Sequence, residues 1–581
     1  MANISTMSRR AVLKNAGGMV VAFALGSAAR PARAIEAGTL KSVVEGIVSS
    51  YLSIDTAGKV TVYSGKIDYG TGVRTGMAQI VAEELSVPLT DVTVIEGDTS
   101  LTPDQGPTYG SNSIEVGGME IRRAAATARE ALTDLAAERL NVPRGTLTLT
   151  DGAFSADGRT AGYGDLMEGK TLSLDVDENA TLKNPGEYSI VGQKIPRPEI
   201  PGKVTGGFTY MQDFRREDML HGAVVRPPAL GAALESVDEE SLAHIPDLVR
   251  IVHKGDFLAV VTRNEWSCVR AARELVARWS ASETLPDQRK LWEHVRTTPI
   301  VQDDVTSDIG NVDSVKGGDE INATYQYAMQ THGSIGPSCA VTEFIDGQLI
   351  NWSSSQATHR LRGQLAEMFG MDEADVRCIY LEGAGCYGRN GHEDAAADSA
   401  LLAREMDAPV RVQWMRHDEH GWDPKGPPTL IDLSARMDGS GEVAAWRSEF
   451  FIPQGAGGAV ELLPAGLAGM PTTTELNPGG ITNDSAIPYQ FPNIRTTCHR
   501  LETTPLRPSW IRAPGRMQNT FANESFLDEI AALRGVDPLQ FRLDRIDPQD
   551  ERGRAVLERL RDLSEWESRP SPRDDTGETL L

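Results

Sequence analysis

Apolar and polar residues alternate along Lys59-Val60-Thr61-Val62-Tyr63-Ser64, the period of two that a half-buried strand requires. Gly70-Thr71-Gly72 breaks that pattern and Gly76 to Leu85 takes helical spacing, so the chain opens on a strand, a glycine turn and a helix. A second helix is predicted over Gly117 to Leu140. Thr146-Leu147-Thr148-Leu149 with Asp151-Gly152 predicts a hairpin. Ile195 to Gly206, with three prolines and two glycines, reads as a linker. Beyond it, Leu248 to Val252 and Phe257 to Thr262 flank Lys254-Gly255-Asp256 as two strands, and Trp266 to Arg278 has the spacing of an amphipathic helix. From Asn351 the order is strand, helix Arg360 to Phe369, strand Val376 to Leu381, a glycine stretch, helix Asp394 to Glu405 and strand Val410 to Trp414. After a region rich in proline and glycine, Pro453 to Gly480, Glu524 to Leu533 is predicted helical. Asp537-Pro538 opens a further helix, with proline at a favourable first-turn position.

A chain of 581 residues exceeds one hydrophobic core, so several domains are expected. Lys and Arg number 57 against 82 Asp and Glu, and the net charge of −25 repels nucleic acid and anionic lipid. Cys268, Cys339, Cys378, Cys386 and Cys498 form no C-x-x-C pair, which argues against an iron–sulfur cluster or a structural zinc held by this chain. Ser8-Arg9-Arg10-Ala11-Val12-Leu13-Lys14, the short apolar run Gly17 to Ala29 and Ala32-Arg33-Ala34 resemble a twin-arginine export signal over 1–34, which predicts a periplasmic protein. No other run approaches the ~18 apolar residues of a membrane span, so no integral segment is expected in the mature chain.

Gly383-Ala384-Gly385-Cys386-Tyr387-Gly388 spells G-x-G-x-x-G between a predicted strand and a predicted helix, the context of a dinucleotide-binding loop. Against that reading, the stretch lies far from any βαβαβ start, and the strand Val410 to Trp414 ends in Met415-Arg416, without an acidic residue for a ribose hydroxyl. The pattern alone leaves three readings open: a structural glycine turn, a site for some phosphate-bearing cofactor, or NAD or FAD.

Longer stretches bear on the choice. Gly65 to Leu85, Gly97-Asp98-Thr99 and Pro103 to Ser111 resemble the molybdopterin-binding subunits of the xanthine dehydrogenase family. The likeness continues through Pro196-Arg197, Gly202 to Gly206, Met219 to Gly222, Val225 to Pro228 and Gly255-Asp256-Phe257. It then runs through His332 to Pro337, Ser355-Gln356, the glycine stretch, Arg512-Ala513-Pro514-Gly515 and Glu524 to Glu529. The segment from Gly70 to Ser111 precedes the hammerhead-like region instead of following it, a permuted order resembling the large subunits of isoquinoline 1-oxidoreductase and nicotinate dehydrogenase. This implies a multi-domain α+β fold: a permuted molybdopterin-binding segment at 45–192, an α/β-hammerhead domain at 195–292, one molybdopterin-binding lobe at 318–450 and the start of a second at 451–581.

The resemblance further implies a molybdenum–molybdopterin cofactor, in cytosine dinucleotide form, and oxidation of an aldehyde or N-heteroaromatic carbon with water as oxygen donor. Electrons pass to a small partner subunit with [2Fe-2S] clusters, with cytochrome c among the further acceptors left open. It places Gln356 as an amide donor near the metal, Tyr387 where the family has phenylalanine, and Arg512 with Ala513 in the arginine motif. Gly383, Gly385 and Gly388 form the glycine loop, Gly110 matches a small residue beside the metal with Ser111 next to it as cofactor-binding, and Gly70, Thr71 and Gly72 replace a G-Q-G turn. The family's catalytic glutamate lies in a G-x-G-E motif near the C-terminus of a longer chain, so the expectation here is a fragment or split subunit lacking that base. Gly439-Ser440-Gly441-Glu442 spells the motif but reads as a hairpin turn, Thr576-Gly577-Glu578 sits in a charged tail, and Glu524 belongs to a different motif. The alternative reading is a cofactor-binding module that needs a second chain for its glutamate.

Overall fold

The computed structural model describes residues 43–167, 174–453, 460–473 and 480–568. The export-signal expectation at 1–34 and the Thr576 to Glu578 tail lie outside them. Among the described residues no helix is long and apolar enough to cross a membrane.

The N-terminal unit grows from the first predicted pattern. Val60–Ser64 pairs in parallel with Val92–Glu96 and antiparallel with Leu52–Ile54, and the crossover between the parallel strands is the helix Val73–Leu85. That helix and Met119–Leu140 bury Met77, Val81, Leu85, Ile121, Ala125 and Leu132 with Val60 and Val62 in one core. The predicted hairpin is Thr148–Thr150 with Ala153–Ala156, extended to three strands by Arg159–Gly162.

Two larger sheets dominate the remainder. The seven-stranded sheet runs in the order Val376–Tyr380, Gln348–Ser353, Cys339–Ile345, Val410–Gln413, Leu220–Val224, Phe257–Thr262 and Leu248–Lys254. Phe257–Thr262 is buried at every position, as a strand covered on both faces must be. The five-stranded sheet runs Ile300–Ile309, Ile494–Leu501, Val443–Pro453, Thr429–Met437 and Glu320–Tyr327. Its core holds Trp446 stacked on Phe491 at 5.4 Å and edge-on to Phe526 at 5.1 Å, the latter from the helix Arg516–Leu533.

The elements differ from expectation in three places. The linker carries a short helix, Ile200–Thr205, because Pro201 falls in its first turn, where proline is tolerated. The amphipathic helix is Glu265–Glu274 and stops early, since Val276–Trp279 pairs as a strand with Leu234–Asp238. The late helix starts at Arg516 instead of Glu524. Sheet pairing also crosses two expected boundaries. Leu220–Val224 from the 195–292 region is hydrogen-bonded to Val410–Gln413, and Ile494–Leu501 lies parallel to Val443–Pro453 across position 450.

Candidate functional site

A cavity of about 940 Å³ opens where the three units meet. The N-terminal unit contributes Gly70, Thr71, Gly110 and Ser111; the seven-stranded sheet contributes Gln356 and Cys386 to Gly388; the five-stranded sheet and its helix contribute Tyr327, Arg512, Ala513 and Gln518. Nine of the twelve expected site residues line it. Gly72, Gly383 and Gly385 do not, and each has a structural task. Gly72 is the left-handed residue before the helix Val73–Leu85, at φ 85°. Gly383 leaves room for Ser354, whose Oγ lies 2.4 Å from where a Cβ would stand, and Gly385 makes room for the Tyr387 ring folded back over it.

The Gly70-Thr71-Gly72 turn is built around Asp68, a buried carboxylate absent from the expected set. Its oxygens accept the backbone N–H groups of Gly70 at 2.8 Å, Gly72 at 3.1 Å and Arg74 at 3.1 Å. Burial alone would raise the Asp68 pKa, but these three donors, helped by the Arg74 guanidinium, hold it below the usual carboxylate value. An aspartate two residues before a glycine turn at a helix start was the available signal.

The glycine stretch leaves the sheet at Tyr380 and reaches the helix His392–Met406. It is clamped to the arginine motif: Arg512 N–H donates to the Tyr387 carbonyl at 2.7 Å, and Gly388 forms a bridge with Ile511. A Cβ on Gly388 would stand 2.3 Å from the Trp510 carbonyl oxygen, so only glycine closes there. That carbonyl also accepts from His332 Nε2 at 3.1 Å, while His332 Nδ1 lies 3.3 Å from Asp423 Oδ2. Ala513 is held at φ 55°, a left-handed conformation uncommon for alanine. No acceptor among the described residues takes the backbone N–H groups of Gly385, Cys386 and Tyr387.

Gln356 is fixed from two sides. Its carbonyl accepts Thr108 N–H at 2.9 Å, and its side-chain oxygen accepts the Cys386 thiol at 3.3 Å. Burial, then the Glu393 carboxylate, pushes that thiol far above its ordinary pKa, so it remains a donor, and the Gln356 amide nitrogen is left to serve the cavity. Beneath the loop, Asp394 accepts from Arg389 at 2.9 Å, from Arg507 at 3.0 Å and from Leu463 N–H at 2.9 Å. Burial would raise it, but the two guanidiniums dominate and lower it to about 2. Arg512 spreads over the Tyr387 ring at 5.7 Å and has no carboxylate partner among the described residues. No Asp or Glu appears among the described residues lining the cavity.

The residues set aside in the sequence stay apart from the cavity. Glu442 is in the tight turn between Thr429–Met437 and Val443–Pro453 and pairs with Arg534 and Arg545. Glu524 pairs with Arg542 at 2.7 Å and accepts from Tyr489. The glycine stretch is no Rossmann loop, because its strand is the edge of a mixed sheet and two strands separate it from Val410–Gln413. All five cysteines are free and buried, and no three His, Cys, Asp or Glu converge on a metal position among the described residues.

A cavity with an unopposed guanidinium, unused backbone donors, an amide donor and no described carboxylate suits a bulky anionic group, as a pyranopterin carrying phosphate is. Two family models described as a molybdopterin cofactor-binding domain match residues 11–212 and 296–545. The chain is 37% identical to the B subunit of nicotinate dehydrogenase from Pseudomonas putida over 95% of its own length and 47% of that protein's, so it spans about half of that relative. It is 25% identical to the beta subunit of isoquinoline 1-oxidoreductase from Brevundimonas diminuta, over 97% of this chain and 78% of that one. The fold matches quinoline 2-oxidoreductase of Pseudomonas putida 86 with a TM-score of 0.52 and 16% identity, over 64% of this chain and 54% of that chain. With two cofactor-binding domains in the permuted order and this cavity between them, the chain belongs to the molybdopterin-binding large subunits of the xanthine dehydrogenase family.

Proposed function

We propose that the cavity holds a molybdenum pyranopterin in its cytosine dinucleotide form. In this reading the chain is the cofactor-binding part of a hydroxylase that oxidises an aldehyde or an N-heteroaromatic carbon with water as oxygen donor. The observation that carries this reading is the joining of Gln356, the glycine stretch and Arg512 in one cavity wall with donors to spare and no described carboxylate. When bound, the cofactor supplies the two-electron redox chemistry. Arg512 supplies fixed positive charge, the Gln356 amide nitrogen donates a hydrogen bond, and the backbone of Cys386 and Tyr387 offers N–H groups at a loop that cannot shift past Trp510. Electrons leave to a small [2Fe-2S] subunit and onward to cytochrome c. The Arg9-Arg10 segment directs the folded protein to the periplasm.

Co-production of the full chain with a [2Fe-2S] subunit tests this. Purified protein is expected to contain about one molybdenum per chain by mass spectrometry, to release a fluorescent pterin on acid oxidation together with cytosine monophosphate, and to reduce cytochrome c with substrate present. Tightly bound flavin or NAD, with no molybdenum, would overturn the assignment. Replacing Arg9 and Arg10 with lysine is expected to leave the protein in the cytoplasmic fraction.

A second reading follows from the absence of any carboxylate among the described lining residues: the general base is a glutamate supplied by another polypeptide. Molybdenum-loaded protein would then show oxidation only after that polypeptide is added. Full turnover by the chain with its [2Fe-2S] subunit alone would discard this reading.

A further inference from the structure

Behind the cavity wall lies a second chamber of about 20 Å³, bordered by Tyr109, Gln356, Arg360, Glu393 and Trp510 among others. A water molecule needs roughly 10–15 Å³ of such space, so the chamber has room for one and for little else. Two of the polar atoms on these bordering residues are buried without a hydrogen-bond partner in the protein: Trp510 Nε1 and Glu393 Oε2. The rest of the Glu393 carboxylate is engaged, since Oε1 accepts from Ser355 Oγ at 2.7 Å. Arg389 Nη1 approaches Oε2 only to 3.7 Å, close enough for an ion pair and too far for a hydrogen bond.

The two atoms are chemically complementary. An indole N–H can only donate and a carboxylate oxygen can only accept, yet neither reaches the other. Buried and unmet, each costs about 1–3 kcal/mol. One molecule that accepts from the indole and donates to the carboxylate satisfies both. A halide could take the indole N–H and would gain from Arg389 and from Arg360, whose guanidinium lies 5.8 Å from the centre of the Trp510 ring, but it would meet the unbonded Oε2 of the Glu393 carboxylate with like charge. A metal cation would suit Glu393 and be repelled by Arg360 and by the indole N–H. A neutral donor and acceptor of this size avoids both conflicts.

We propose that this chamber is a binding site for one resident water molecule, through which Glu393 fixes the position of Trp510. Gln356 and Trp510 border both the chamber and the large cavity, and among the described residues Glu393 is the one carboxylate that borders either space. The Trp510 carbonyl is the atom over which Gly388 closes, so the water braces the wall on which the glycine stretch rests. Glu393 is thus a positioning residue, acting through the water and the indole without reaching the large cavity. The inference is independent of which cofactor the cavity takes.

A crystal structure of the full chain at atomic resolution tests it, together with the indole resonances of ¹⁵N-tryptophan-labelled protein, Trp510 being identified by its loss in Trp510→Phe. The expected map shows one peak within hydrogen-bond distance of Trp510 Nε1 and Glu393 Oε2. Trp510→Phe is expected to empty the site, and Glu393→Gln to shift the Trp510 indole resonance while the other indoles stay in place. A chamber without density in wild-type protein, where other buried waters are visible, would overturn the proposal. So would anomalous scattering from a chloride, or a Trp510 resonance unmoved by Glu393→Gln. If Trp510→Phe does not fold, the wild-type map decides, and Trp510 is assigned from its proximity to Tyr109, whose ring lies 5.9 Å away.

Discussion

Two glycine turns border the same cavity and use their backbone donors in opposite ways. At Gly70-Thr71-Gly72, three N–H groups point to the protein's own Asp68, and the first turn of the helix is already supplied with its anion. At Gly383 to Gly388 the N–H groups of Gly385, Cys386 and Tyr387 have no acceptor among the described residues, while the loop is locked by its bridge to Ile511. A self-satisfied turn is a structural part, whereas a rigid turn with donors left over is a place for a ligand. Both read as glycine between a strand and a helix in the sequence, so the difference lies in where an acceptor side chain falls.

This contrast can be broken by substitution. The largest effect is expected from Asp68→Ala, which removes the shared acceptor of three part-buried backbone donors at once: a loss on the order of 2–3 kcal/mol by urea denaturation, with Asp68→Asn losing less. An unfolding midpoint unchanged in Asp68→Ala would mean that the turn does not depend on its carboxylate. Next is Gly388→Ala, whose Cβ would meet the Trp510 carbonyl at 2.3 Å from a backbone at φ 130°. The expected outcome is a folded protein about 1–3 kcal/mol less stable that loses most of its molybdenum, read by melting temperature and metal analysis.

The third test is acidic pH. Asp394 is held near 2 in the folded chain against an ordinary 3.8. Its folded pKa is depressed, so its contribution, on the order of 2 kcal/mol, is present above pH ~4 and lost as pH falls towards 2. Asp394→Asn is expected to flatten that part of the stability-against-pH curve; an unaltered slope would place the acid sensitivity elsewhere. The smallest effect belongs to Glu442→Gln. Glu442 is half exposed and held by two arginines, so stability should change by less than about 1 kcal/mol and molybdenum content not at all. A loss of metal in this variant would return the G-S-G-E turn to consideration.

Much of this was legible in the sequence where local chemistry decides. Alternation marked Val60–Ser64, and the hairpin-turn reading of Gly439-Ser440-Gly441-Glu442 matches the turn between Thr429–Met437 and Val443–Pro453. Asp537 before Pro538 marked a helix start, and the structure shows its side chain accepting from Gln540 N–H at 2.8 Å. Gln356, Tyr387 and Arg512 were singled out through resemblance and converge on the cavity. Long-range partners decided what was missed. Val276–Trp279 is a strand because Leu234–Asp238 lies beside it, and no local signal in Trp266 to Arg278 shows that neighbour. Likewise Trp510 matters because Gly388 packs against its carbonyl, 122 positions earlier in the chain. Gly383 and Gly385, which the resemblance places in the glycine loop, also make room for Ser354 and for the Tyr387 ring.

The seam in the seven-stranded sheet also sets a timetable. Leu220–Val224 finds its parallel partner only in Val410–Gln413, nearly 190 positions later, through the pairs Val410 with Leu220, Arg411 with His221 and Val412 with Gly222. Closing a loop of that length costs more entropy than forming a hairpin, and pairing across such a separation is intrinsically slow. Gly222 narrows the joint further, since Leu402 Cδ1 occupies a point 2.5 Å from where its Cβ would be. The helix His392–Met406 thus packs over a strand from much earlier in the chain, and this joint in the sheet is of the long-range kind that slows folding.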